Sequence, residues 1–351
     1  MGHQDKNTTG FNPLFQIKKR QEKSLSDFVQ GLIEGNRYIL SECITLMENN
    51  LPAKRNIALK ALNEVLKSTQ PNSIRVGITG TPGVGKSTLI ESFGLFLIKQ
   101  GFKPAVLTID PSSKVTQGSI LGDKTRMPLL STHEKAYVRP SSSGNVLGGI
   151  ATYTKDVIRL CESAGFDFII IETVGVGQSE TEIKDITDVT VVLLQPGAGD
   201  EIQGIKRGIV ETGDIFLITK SDGLQVELAR QTQTFYSQAL KLFHHEILSW
   251  VTPVIKVSSI EGHGMDKVLD AILAFKTELN SLNLLEKRRK EQDVVWFQKQ
   301  LGLLIQSTFG SIDDYKNTYT EIILKLKQGE ISTTQALDKM EQFVLSKLIK
   351  S

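Results

Sequence analysis

One eight-residue run constrains this chain more than any other: Gly80-Thr81-Pro82-Gly83-Val84-Gly85-Lys86-Ser87 fits the pattern G-x-x-x-x-G-K-[ST]. A chance match in a chain of this length is on the order of 1%. The flanks lower that further. An apolar strand pattern, Ile74–Thr79, leads into the run, and an apolar helix pattern opens behind it at Thr88-Leu89. Glycines let the backbone turn its N–H groups toward phosphate oxygens, and the following helix adds the positive end of its dipole. Lys86 is placed to neutralise the β- and γ-phosphates, and Ser87 offers a hydroxyl to Mg²⁺. The nucleotide-binding candidates here are Gly80, Thr81, Pro82, Gly83, Val84, Gly85, Lys86, Ser87 and Thr88.

The rest of the central chain suits that frame. Short apolar runs rich in Val, Ile or Leu recur at Ile74–Thr79, Ala105–Asp110, Phe168–Glu172, Val189–Leu194, Ile215–Lys220 and Val254–Ser258. Strands buried on both faces read this way. The stretches between them are long enough for crossover helices. The expected fold is α/β: a P-loop nucleoside triphosphatase with a mostly parallel sheet flanked by helices, and with helical N- and C-terminal extensions.

The expected organisation is a tail and helical segment over 1–72, the nucleotide-binding domain over 73–264 and a helical segment over 265–351. In the first, Ser26-Asp27 opens a short helix and Asn36 caps another that runs to about Glu48. Pro52 suits the first turn of a third, in which Ile57, Ala58, Ala61, Leu62, Val65 and Leu66 repeat at helical spacing. In the last, helical patterns cover Met265–Asn283, Leu284–Ser307, Asp314–Lys327 and Thr333–Lys350. The charge run Glu286–Glu291 reads as a solvated helix face.

Composition narrows the class. Of 351 residues, 40% are hydrophobic and 23% charged, a globular balance. With 41 basic against 39 acidic residues the formal net charge is only +2, which argues against a general nucleic-acid binder. Two cysteines, Cys43 and Cys161, make neither a disulfide framework nor a four-thiolate zinc site; both fall in helical patterns and read as core thiols. No apolar run approaches the ~20 residues that span a bilayer, and the N-terminus carries no secretory or myristoylation pattern. A cytoplasmic protein without a membrane or nucleic-acid partner is expected.

Strand ends supply the remaining chemistry. Asp110 closes one strand, and Glu172 closes another and opens Glu172-Thr173-Val174-Gly175, a D-x-x-G segment with Glu in place of Asp. Both carboxylates emerge at the sheet edge where ligands bind, and oxygen donors suit Mg²⁺. The N–H of Gly175 could sense a γ-phosphate. Asp123 lies in a polar loop, Gly118–Arg126; taken alone it reads as a cap or a solvated loop charge sooner than as a ligand.

Thr219-Lys220-Ser221-Asp222 resembles the N-K-x-D guanine signature, with Thr in place of Asn. The Asp222 carboxylate can accept from N1–H and the exocyclic amine of guanine, whereas adenine presents an acceptor there. A charged hydrogen bond of about 1.5–3 kcal/mol then favours GTP over ATP. The Lys220 stem can cover the base. Ser258-Ser259-Ile260 stands where a second base-contacting loop is expected, or is an ordinary turn after a strand.

Together these residues resemble the MeaB/ArgK/MMAA family of P-loop GTPases. The resemblance runs through Gly80–Thr88, Ile109–Ser113, Gly118–Met127, Arg139–Ser141, Leu147–Gly149, Glu172–Glu180 and Gln195–Lys206, most of residues 74–260. It implies a GTPase acting with GTP/GDP and Mg²⁺, with Ser87, Asp110, Asp123 and Glu172 at metal-site positions and Lys86, Asp123, Glu172 and Gly175 at catalytic ones. It also implies a partner, an adenosylcobalamin-dependent acyl-CoA mutase, and a homodimer formed by the C-terminal helices. The helper would serve cofactor loading and protection or reactivation of the mutase. Thr219 departs from the pattern and is expected to loosen the base loop.

Two other readings stay open. One is a GTP- or ATP-dependent kinase of a transport-related protein, the older sense of the ArgK label. The other is a nickel metallochaperone, which needs clustered imidazole or thiolate ligands. Among the five histidines only His244-His245 are paired, and adjacent residues do not share a helix face, so they read as solvated. A glycine-rich run, Gly197–Gly208, carrying Asp200, Glu201, Lys206 and Arg207, is the expected partner-responsive loop; its bland reading is a helix start capped by Asp200.

Overall fold

The computed structural model describes residues 23–49, 51–68, 72–110, 127–142, 153–173, 182–197, 213–243, 245–310 and 314–348. Asp123, Gly175, His244 and the run from 198 to 212 lie outside the described residues. The chain divides into two compact units. One comprises Met1–Pro71 with Arg159–Gly165, the other Asn72–Ile158 with Phe166–Ser351.

The first unit contains helices α1 (Leu25–Ile33), α2 (Arg37–Met47) and α3 (Pro52–Ser68). Local chemistry sets the starts. Ser24 and Asp27 form a reciprocal capping box at α1, two residues ahead of the expected Ser26 start, and the Asn36 side-chain oxygen accepts from the N–H groups of Tyr38 and Ile39 at α2. Phe28, Leu32, Leu40, Ile44, Met47, Ala58, Ala61, Leu62 and Val65 are buried. Cys43 and Cys161 are buried, and desolvation, with a smaller push from Glu42, raises the Cys43 thiol to about 12.

The second unit is built on a seven-stranded sheet in the order β3-β2-β4-β1-β5-β6-β7, every pair parallel. The strands are β1 (Ile74–Gly80), β2 (Pro104–Asp110), β3 (Tyr137–Ser142), β4 (Phe168–Thr173), β5 (Val189–Leu194), β6 (Ile215–Ile218) and β7 (Val254–Lys256). Helices α4 (Lys86–Lys99), α5 (Pro128–Thr132), α6 (Thr154–Ser163), α7 (Val226–Ala239) and α8 (Met265–Ser281) connect or follow them. Every residue of β1, β4 and β6 is buried, the continuous apolar burial that a sheet covered on both faces requires. One core joins β1 and β5 to α4 and α8 through Ile78, Leu89, Phe93, Val191, Ile272 and Phe275. Another joins β6 to α7 through Phe216, Ile218, Ala229 and Tyr236.

Sequence reasoning misses β3. Its Arg139-Pro140 breaks an apolar pattern, yet Pro140 pairs opposite Thr108 at the edge of the sheet, where a missing N–H costs no ladder bond on the outer side. Two expected strands are shorter: β6 stops at Ile218 and β7 at Lys256.

After α8 come α9 (Leu284–Gly310), α10 (Tyr315–Lys327) and α11 (Thr333–Leu348). The charge run at the start of α9 is not simply a solvated face. Glu286 pairs with Lys290 and Lys287 with Glu291 on the outside, but Arg288 and Arg289 turn inward. Arg289 pairs with the fully buried Asp188 at 2.5 Å, and Arg288 donates to the Asp188 carbonyl and to Glu246. His245 departs from expectation in the same way: its Nε2 stands 2.9 Å from the buried Asp214. No helix among the described residues is long and apolar enough to cross a membrane.

Candidate functional site

Strand β1 lies between β4 and β5, while its own sequence neighbour β2 lies beyond β4. The connection from β1 runs to β2 on one side and the connection from β4 passes β1 to reach β5 on the other, so the strand order reverses at β1, and the crevice beyond its C-terminal end is where open α/β sheets bind ligands. Gly80 ends β1 there and α4 begins at Lys86, so the loop between them sits at the switch point.

Two glycines are required by local geometry. A Cβ on Gly80 would stand 2.7 Å from the Leu193 carbonyl oxygen of β5. Gly85, the residue before α4, has φ +99, a left-handed conformation that L side chains rarely adopt. Val84 is fully buried and pins the loop from below. Thr81, Pro82 and Gly83 are exposed along the rim, as is Thr88. Lys86 is 8% exposed, and its Nζ donates to the carbonyls of Gly80 at 2.7 Å and Thr81 at 3.2 Å, which holds the ammonium in the mouth of the loop.

Two of the expected metal-site residues, Asp110 and Glu172, fall at the ends of neighbouring strands. Ser87 Oγ, in the first turn of α4, donates to Glu172 Oε1 at 3.0 Å. Glu172 is buried near the end of β4, in register with Ile78 of β1 and Thr108 of β2. Beside it Thr173 Oγ1 donates to Thr79 Oγ1 at 3.2 Å, a second tie between β4 and β1. Asp110 ends β2. Asp123 and Gly175 lie outside the described residues.

The base-reading candidates follow β6 and are fastened to the phosphate loop. Lys220 has φ +53, and its Nζ donates to the Gly83 carbonyl at 2.9 Å. Thr219 is 2% exposed; its hydroxyl lies 2.8 Å from the Val84 carbonyl and 3.1 Å from that of Leu194. Thr219 therefore still bridges this loop to the phosphate loop without an Asn. Ser258 is fully buried and donates its hydroxyl to the Asp222 carboxylate, while its oxygen accepts from the Glu261 N–H at 3.1 Å. Ser258 thus orients Asp222, a link that sequence spacing does not reveal. Ser259 is half-buried, and Ile260 is exposed.

One side of this arrangement presents backbone N–H groups, a lysine and a helix N-terminus, which receive phosphates. A serine–carboxylate pair supplies oxygen donors beside it. The Asp222 carboxylate, held by Ser258, belongs to a segment tied to the phosphate loop through Thr219 and Lys220.

Comparison with known proteins fits this geometry. The sequence model described as "Methylmalonyl Co-A mutase-associated GTPase MeaB" matches residues 40–310. The chain belongs to the MeaB family. It is 38% identical over 326 residues to the Escherichia coli (strain K12) protein named GTPase ArgK, covering 92% of this chain and 97% of that one. It is 39% identical over 331 residues to the Mus musculus protein named methylmalonic aciduria type A homolog, mitochondrial, covering 92% and 80%. Among solved structures, the one described as LAO/AO transport system kinase superposes with a TM-score of 0.72 at 32% identity, over 92% of this chain and 97% of that one. The family is one of P-loop GTPases, so this MeaB-family protein carries the P-loop fold expected from its phosphate loop.

Proposed function

We propose that this MeaB-family protein hydrolyses GTP and uses the nucleotide cycle to assist an adenosylcobalamin-dependent acyl-CoA mutase, methylmalonyl-CoA mutase in the first instance, in cofactor loading and in protection or reactivation. The mutase link rests on the family match across residues 40–310. The choice of guanine rests on Asp222, whose carboxylate accepts from Ser258 in a loop that Lys220 and Thr219 fasten to Gly83 and Val84.

In this reading the N–H groups of 80–88 cradle the phosphates, and Lys86 neutralises charge on the β- and γ-phosphoryl oxygens. Ser87 and Glu172 converge as oxygen donors at 3.0 Å and fit a Mg²⁺ ion, with Asp110 and Asp123 as further metal-site candidates. Bound there, Mg²⁺ would offset the negative charge of the phosphates. Asp222 reads the guanine edge, Lys220 covers the base plane, and 258–260 closes its far side. Asp123 and Gly175 act at the γ-phosphate by analogy with the family.

The protein works as a homodimer through α9. Val294, Phe297, Leu301 and Leu304 are exposed, and their spacing is that of a coiled-coil seam. A second reading comes from the kinase name of the solved relative. Incubation with γ-labelled GTP separates the two: label released as inorganic phosphate supports the GTPase, and label transferred to a protein supports the kinase.

A further inference from the structure

We propose that Gln292, on α9, is a positioning residue of the nucleotide site, acting on the phosphate loop through the turn Ile183–Asp185 and the floor of β1. The proposal rests on the guanine-nucleotide reading above and adds a route by which the C-terminal helix sets the geometry of that site.

The route is a short chain of direct contacts. Gln292 is 6% exposed, and its Nε2 donates to two carbonyls between β4 and β5, Lys184 at 2.8 Å and Thr187 at 2.7 Å. Thr187 Oγ1 donates to the Ile183 carbonyl at 2.8 Å, so the turn and Thr187, two residues beyond it, are held as one piece. That piece presses on β1 at a residue without a side chain. A Cβ on Gly77 would stand 2.8 Å from Ile183 Cδ1 and 3.1 Å from Thr187 Cγ2. Ile183 is fully buried there. Gly77 lies in the strand that ends at Gly80, the first residue of the phosphate loop. Close-packed interiors transmit displacement because they have no slack.

Gln292 is also a costly choice if its only task is to hold α9 in place. Its Oε1 is buried and has no hydrogen-bond partner among the described residues. Native proteins leave few such groups unpaired. The same α9 already has structural anchors: Arg289 to Asp188, Arg288 to Glu246, and Lys299 to Asp185 at 2.6 Å. Gln292 differs from both arginines in what it grips: Arg289 holds Asp188 and the Ser73 carbonyl at the heads of β5 and β1, Arg288 holds the Asp188 carbonyl and Glu246, and Gln292 holds the Lys184 and Thr187 carbonyls of the backbone that carries Ile183.

The experiment compares full-length variants by titration with fluorescent GDP and with a non-hydrolysable GTP analogue, alongside Tm. Gln292→Met keeps the volume and removes both donors. Gln292→Glu keeps the shape and sets acceptors against the two carbonyls. Arg288→Gln serves as the comparison, since it weakens the hold of α9 on Glu246, which keeps its own pair with Lys184, and leaves both Gln292 hydrogen bonds in place. Both Gln292 variants are expected to bind nucleotide about three- to thirtyfold more weakly than the wild type. Arg288→Gln, at a comparable or greater loss of Tm, stays near wild-type affinity. Wild-type affinity in folded Gln292 variants overturns the proposal, and so does an equal loss in Arg288→Gln. A wild type that binds no guanine nucleotide is a different result: it overturns the nucleotide reading and this proposal with it.

Discussion

The Ser87 hydroxyl donates to the Glu172 carboxylate at 3.0 Å, joining the first turn of α4 to the end of β4. The two oxygens belong to elements that only the sheet brings together, because β4 pairs directly with β1. If they serve a common metal ion, Glu172→Gln raises the Mg²⁺ concentration that half-saturates GTP hydrolysis by about tenfold or more. A magnesium titration of phosphate release checks this, and an unchanged midpoint removes Glu172 from the metal site.

Asp222 is held by Ser258. Asp222→Asn keeps one acceptor for the guanine N1–H but turns the other into a donor, which opposes the exocyclic amine. GTP affinity falls roughly ten- to a hundredfold, the equivalent of a charged hydrogen bond, and xanthosine triphosphate binding improves. Competition titrations with GTP, XTP and ATP measure the change. Equal wild-type affinity for GTP and ATP contradicts the role of the loop.

Thr219 supplies one hydroxyl for the carbonyls of Val84 and Leu194. Thr219→Val keeps the shape but leaves buried acceptors short of a donor, at about 1–3 kcal/mol. Both Tm and GTP affinity drop. Thr219→Asn, in contrast, is expected to keep or improve affinity. A Thr219→Val variant that binds GTP as tightly as the wild type shows that the tie is dispensable.

Burial pushes the Asp188 carboxyl up, but hydrogen bonds and charge from Arg289, with Arg75, outweigh it and hold the group below the usual carboxylate range. A carboxyl lowered on folding stabilises the native state above its unfolded pKa of about 3.9, and that stability is lost as pH falls through the native value. Asp188→Asn is therefore destabilised at neutral pH by about 3 kcal/mol, as when a buried pair loses one partner. The gap to the wild type narrows below about pH 4. Urea midpoints across pH test it; a constant gap down to low pH means that the ion pair contributes no stability.

Local signals carry the parts of the fold that depend on neighbours in sequence. The phosphate loop, the Asn36 cap and the start of α8 at Met265 need only spacing and residue type. What stays hidden depends on pairs far apart in the chain. Arg288 and Arg289 look solvated in a run of charges until β5 brings Asp188 to them. Gln292 is an ordinary helix residue until its amide meets Lys184 and Thr187. Thr219 reads as a weakened signature, yet its hydroxyl reaches the same loop that an Asn would serve. Pro140 conceals β3 because a proline is admitted only by an edge, and an edge is a property of the sheet and not of the strand.

Coupling of GTP turnover to a mutase is tested most directly by the rate of phosphate release from GTP. The purified protein is measured alone and with a stoichiometric adenosylcobalamin-dependent acyl-CoA mutase. Slow hydrolysis alone and a clear acceleration by the mutase are predicted, with neither remaining in Lys86→Ala. Coupling of binding is reciprocal, so the mutase must also change nucleotide affinity. A GTP hydrolysis rate and a nucleotide affinity that are both unchanged by saturating mutase would contradict the coupling.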